Sequence, residues 1–156
     1  IGLRGLSFVC NAAYIYSRVR FEEGAPERDR PLAGQSPYLV NAGFFYQYDD
    51  KGISASLLYN RIGKRIESVG VPMQNQDEDI PDIYEMPRNS LDLTFSKKIG
   101  KIVEIKAGIQ DILNSKVEYK QFVKLTDDKG GKSEREQLIR SYRPGVDINI
   151  GVSLRF

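Results

Sequence analysis

Side chains able to do acid–base, metal or nucleophilic chemistry are sparse in this sequence. No histidine occurs, which removes a Ser-His-Asp triad, a His-based zinc site and an imidazole general base. The single cysteine, Cys10, can form neither an internal disulfide nor a thiolate cage. Between Phe8 and Ala12 it reads as a small apolar filler. Carboxylates gather at Asp77, Glu78, Asp79 and Asp82, where they could hold a divalent cation or meet a cationic substrate. Their spacing fits no calcium loop, however, and a solvated acidic loop is the plainer reading. The run Asp127-Asp128-Lys129-Gly130-Gly131-Lys132 lacks the spacing and the strand-to-helix setting of a phosphate loop, and reads as a loop tip. Arg28, Asp29 and Arg30 fall in a long polar stretch, where they serve solubility or meet a ligand, solubility being the plainer reason. The chain is therefore read as a non-enzyme with no cofactor and no metal. A net charge of +2, with Lys and Arg dispersed among acids, also argues against a nucleic-acid partner.

What the sequence does carry is a two-residue period. Val146, Ile148, Ile150, Val152, Leu154 and Phe156 fall on one side of a strand, and Asp147, Asn149, Gly151, Ser153 and Arg155 on the other. Five earlier runs alternate in the same way: about Leu6 to Arg20, Tyr38 to Tyr48, Ile53 to Arg65, Asn89 to Lys98, and from about Lys101. A sixth spans Ser141 to Phe156. The expected fold is all-β, an antiparallel up-and-down meander of about six strands.

The connections come in two sizes that take turns. Asp49-Asp50-Lys51-Gly52 and Ile99-Gly100 are tight hairpins in which glycine can supply positive φ. Between them lie long polar segments, about Phe21 to Pro37, Glu67 to Arg88 and Leu125 to Arg140. Loops beyond about 12 to 15 residues are uncommon in compact soluble domains, so three on one end of a sheet call for a common cause. Transmembrane barrels have short turns at one end and long loops at the other.

The faces point the same way. Asp92, Glu104, Lys106, Gln110, Asp147, Asn149 and Arg155 share a side that could not be packed dry without partners. The opposite side is apolar, with tyrosines suited to a headgroup layer. Phe8, Phe44, Leu57, Phe95, Ile105 and Ile150 are expected to face lipid, and Asn41, Thr94, Lys106 and Asn149 a watery lumen. Hydrophobic content of 40% does not decide the matter, because barrels hide their apolar signal in alternation. A soluble antiparallel barrel or sandwich with the apolar side inward satisfies the strand residues equally well. A small autonomous outer-membrane barrel is a third possibility. No apolar run reaches the roughly 20 residues of a spanning helix.

Together these residues resemble the carboxyl-terminal part of a Bacteroidetes-type TonB-dependent outer-membrane receptor. The resemblance is carried by Arg30-Pro31-Leu32-Ala33-Gly34-Gln35-Ser36-Pro37-Tyr38 leading into a strand, by Ala55 to Ile66, by Lys106-Ala107-Gly108-Ile109-Gln110-Asp111-Ile112-Leu113-Asn114, and by Tyr142-Arg143-Pro144-Gly145. The final residues, with Asn149, Gly151, Leu154 and Phe156, are similar to the signal by which such barrels are recognised for assembly. The resemblance implies a fragment, residues 1–156, supplying barrel wall, three extracellular loops and an assembly signal to a receptor for energy-coupled nutrient uptake in the cell outer membrane of a Gram-negative bacterium. It implies as partners the outer-membrane lipid, the rest of the barrel and the plug, the barrel-assembly machinery, and the TonB complex through an amino-terminal part that is absent here. The start at Ile1, without Met, agrees with a piece of something longer. The ligand itself is not legible.

Overall fold

In the computed structural model, residues 5–25, 29–73, 79–126 and 132–155 are described. Ten strands follow along the chain: β1 (Leu6–Tyr14), β2 (Tyr38–Tyr48), β3 (Ile53–Ile62), β4 (Arg65–Ser68), β5 (Ile83–Glu85), β6 (Arg88–Ile99), β7 (Val103–Gln110), β8 (Val117–Thr126), β9 (Lys132–Tyr142) and β10 (Asp147–Leu154). No α-helix occurs among the described residues. The strands form two antiparallel sheets, one of six in the order β1-β2-β3-β6-β7-β10 and one of four in the order β4-β5-β8-β9.

The six-stranded sheet is the meander expected from the alternating runs, in the expected order. It is not closed into a barrel: among the described residues β1 pairs with β2 alone, and β10 with β7 alone. Both tight hairpins lie at one end. The first is a short 3-10 turn, Asp49–Lys51, ended by Gly52 at φ 59°, ψ 36°. A side chain there would meet Lys98, whose N–H donates to the Gly52 carbonyl at 2.7 Å. The second hairpin turns through Gly100 at φ 62°.

The long segments at the other end differ from the loops expected. The second contains the end of β4 and all of β5, and the third contains the end of β8 and most of β9, while the rest of β8 precedes it; these four further strands build the second sheet. The first run also stops early, at Tyr14 rather than Arg20, with only the isolated bridge Val19↔Arg30 beyond it. The third run ends at Ile62, because Gly63 redirects the chain: its N–H donates to Ser36 Oγ at 2.9 Å and to the Tyr38 carbonyl at 3.1 Å. A Cβ at Gly63 would come within 2.7 Å of the Tyr38 ring. Ser141 and Tyr142 belong to β9 rather than to the last strand, separated from it by Gly145 at φ 99°.

The two sheets bury very different amounts. The buried apolar side chains among the described residues are Ile66, Val117 and Tyr119, and all three belong to the four-stranded sheet. A compact chain of 17.7 kDa exposes about 7,900 Å². This one exposes 11641 Å². The six-stranded sheet is therefore an uncovered layer rather than half of a closed core.

Candidate functional site

The register decides which residues share a face. Phe8, Phe44, Leu57, Leu93, Ile109 and Ile148 stand directly opposite one another, one from each strand, in a row across the whole sheet. A second row on the same side runs Leu6, Tyr46, Ala55, Phe95, Ala107 and Ile150, and a third includes Tyr48, Ile53, Ile105 and Val152. Phe8, Phe44, Leu57, Phe95, Ile105 and Ile150 thus lie on one face, in phase. That face is open: Phe8 is 56% exposed, Phe95 42% and Ile150 77%. On it the Phe8 and Phe44 rings meet at 4.8 Å between centroids. Cys10, a free thiol, lies on this side between Phe8 and Ala12, opposite Ala42.

Asn41, Thr94, Lys106 and Asn149 lie together on the opposite face. Hydroxyls and amides pair across it: Ser54 with Ser96 at 2.7 Å, Ser56 with Thr94 at 2.6 Å, and Asn60 donating to Asn41. Toward the hairpin end, Glu104 faces Lys106 at 3.5 Å and Arg155 at 3.7 Å. Apolar side chains interrupt this side in two places: Leu39 stands opposite Ile62, and Phe45 and Leu58 close over Gly43 and leave no room for a side chain there. A shallow depression of about 340 Å³ lies beside Gly43, lined in part by Val9, Asn41, Asn60 and Asp92.

Both ends of the apolar face carry polar rims. At the hairpin end are Tyr46 and Tyr48, with the Lys51 ammonium 5.7 Å from the Tyr48 ring and Lys97 Nζ donating to the Lys51 carbonyl. At the other end Tyr14 stands opposite Tyr38. Beside Tyr38, Arg61 donates from Nε to its hydroxyl at 3.3 Å and from Nη1 to Asn89 Oδ1 at 2.8 Å. The Tyr59 hydroxyl donates to that same oxygen at 2.9 Å. This cluster was not singled out from the sequence, although its signal was present: Arg61 continues the phase of Leu57 and Tyr59 and so projects from the apolar side.

The residues of the expected assembly signal are spread along β10. The Asn149 amide lies across Gly108, where a Cβ would come within 2.7 Å of Asn149 Oδ1. Gly151 pairs with Lys106 and has open space above it. Leu154 is exposed opposite Val103, and Phe156 lies outside the described residues. The stretch Lys106–Asn114 ends in a corner, with Asp111 at φ 51° and Asn114 at φ 42°, which Asp and Asn tolerate better than other side chains. Asp92 accepts the Asp111 N–H at 2.8 Å, and Arg88 pairs with Asp111 at 3.3 Å. Asn114 in turn accepts from Arg143 at 2.7 Å and from the Gly145 N–H at 3.0 Å.

The acidic loop splits in the same way. Asp79 and Asp82 accept the N–H groups of Met73 and Gly70 at 2.8 and 2.7 Å, while Asp77 and Glu78 lie outside the described residues, as do Arg28 and 127–131. Asp29 pairs with Arg18 at 3.0 Å, and the Arg30 guanidinium stands 5.7 Å from the Phe21 ring.

The second sheet is held by charge and rings. Arg65 binds Glu85 at 2.7 Å, Lys120 binds Glu136 at 2.6 Å, and Arg140 stacks on Tyr119 at 4.2 Å. Lys64 stands over both Tyr84 and Phe122, at 4.3 and 4.5 Å. Burial pushes the Tyr84 hydroxyl above its ordinary pKa, and the neighbouring Asp82 carboxylate adds to the rise. Burial raises Tyr119 as well.

No protein-family model, curated protein or solved structure matches this chain.

Proposed function

We propose that the six-stranded sheet is a segment of a transmembrane β-barrel, the wall of a TonB-dependent outer-membrane receptor for nutrient uptake. The observation that carries the reading is the uncovered apolar face, continuous over six strands and backed by a polar one. In water such a face would aggregate; in a bilayer it is solvated.

The dimensions agree. The 11 residues of β2 cover about 34 Å from Tyr38 to Tyr48 at roughly 3.4 Å per residue. At a tilt of about 45° this becomes about 24 Å between tyrosine rims, against an apolar band about 25 Å tall in such barrels. The unpaired outer edges of β1 and β10 would be costly in lipid, so the proposal requires further strands of the same receptor to complete the wall. The hairpins then face the periplasm, and the second sheet projects outside the cell as part of the ligand-receiving surface. Energy coupling through a plug and the TonB complex belongs to the resemblance alone.

Topology tests the proposal. In cells producing the complete receptor that contains this segment, in a Cys10→Ala background, Lys129→Cys should react with a membrane-impermeant thiol reagent and Lys51→Cys should not. The reverse pattern would invert the orientation, and release of the protein without detergent would favour a soluble antiparallel module.

A further inference from the structure

We propose that Arg61, with Tyr38, Tyr59 and Asn89, binds the phosphate of a membrane lipid at the rim of the apolar face nearest the long connections. The proposal rests on the membrane reading of that face. In the six strands, Arg61 and Lys97 are the two charged side chains on that side, and they lie toward opposite ends of it. The Lys97 ammonium is capped by the Lys51 carbonyl.

Arg61 is held differently. The Tyr38 hydroxyl and the Asn89 amide oxygen fix two points of its guanidinium plane, and Tyr59 fixes Asn89. All three groups are neutral, so they orient the cation without cancelling its charge. Arg18, Arg65, Arg88 and Arg155 each face a carboxylate, whereas no ion pair to Arg61 is found among the described residues. A guanidinium has five N–H donors, of which two are used here. The remainder form a planar fork that suits two oxygens of a phosphoryl group.

An unneutralised cation on a lipid-facing side is costly at mid-membrane and tolerable at the headgroups. Arg61 stands at that level, one residue from the end of β3 and beside a tyrosine collar. Below it the same face continues through Tyr59 to Leu57, a path on which an acyl chain can lie. That continuity favours a lipid phosphate over a free one.

The complete receptor that contains this segment, in dodecyl maltoside micelles, can be offered phosphatidylglycerol, diacylglycerol with the same acyl chains, or inorganic phosphate, and the bound species counted by native mass spectrometry. The expected result is retention of phosphatidylglycerol over diacylglycerol, lowered about tenfold by Arg61→Gln, lowered less by Arg61→Lys, and unchanged by Lys97→Gln. Equal loss in Arg61→Gln and Lys97→Gln would overturn the site. Equal retention of the two lipids by the unaltered chain would do the same while leaving the membrane reading intact. Inorganic phosphate bound as tightly as phosphatidylglycerol would overturn the lipid as its source. Retention of neither lipid would contradict the membrane reading beneath the proposal.

Discussion

The six-stranded sheet and the four-stranded sheet are made of the same chain and stabilised in opposite ways. The larger sheet sorts its side chains by face, apolar to one side and polar to the other, and closes neither. The smaller one mixes charge and rings on both faces and holds the buried apolar side chains Ile66, Val117 and Tyr119. Burial and paired charge suffice for a sheet bathed in water. On the proposed membrane reading the larger sheet needs no core of its own, because lipid would supply on one side what packing supplies in the smaller sheet.

The sharpest way to break this contrast is a charge placed at mid-strand. Leu57→Arg on the apolar face should cost about 2–4 kcal/mol of membrane insertion, seen as protein left unassembled. Ser56→Arg, one residue away on the polar face, should cost about 0.5–1.5 kcal/mol through the lost bond to Thr94. Equal defects would erase the distinction between the faces. A smaller effect, confined to the other sheet, is expected from Val117→Ala. The cavity should cost about 1–3 kcal/mol, read as faster proteolysis within residues 117–142 while β1 to β3 stay protected. Loss of protection in both sheets would show that they unfold as one.

Alkaline pH should separate the two more gently. Tyr84 and Tyr119 have raised pKa values in the folded chain, so the native state keeps protons that the unfolded state releases. Their contribution is complete below the unfolded tyrosine value of about 10 and is lost as pH rises through the folded values. Hydrogen-exchange protection in β5 and β8, corrected for the base-catalysed rise common to all amides, should fall above pH ~10 before it does in β2 and β3. A simultaneous fall would remove these tyrosines from the account.

These differences also explain what could be read from the sequence. The six strands of the larger sheet were legible because one apolar and one polar face impose strict alternation, as in Leu91, Leu93 and Phe95 against Asp92, Thr94 and Ser96. β9 was not, since Glu134, Arg135, Glu136 and Gln137 put polar groups on both sides and erase the period. β8 adds a register shift between Tyr119 and Lys120. The break at Gly63 depends on Ser36 and Tyr38, distant in sequence, and so could not be seen locally. The Arg61 cluster was hidden for a related reason: its meaning comes from Tyr38 and Asn89 on neighbouring strands.

The central claim, that one face of the larger sheet meets lipid and the other water, is tested most directly by spin labels. Labels at Phe8, Phe44, Leu57, Phe95, Ile105 and Ile150, and at Asn41, Thr94, Lys106 and Asn149, can be probed in bilayers with lipid-soluble oxygen and a water-soluble nickel chelate. The first set should relax with oxygen and resist the chelate, and the second should do the opposite. If both sets respond alike to the two agents, the apolar face does not meet lipid and the barrel reading fails.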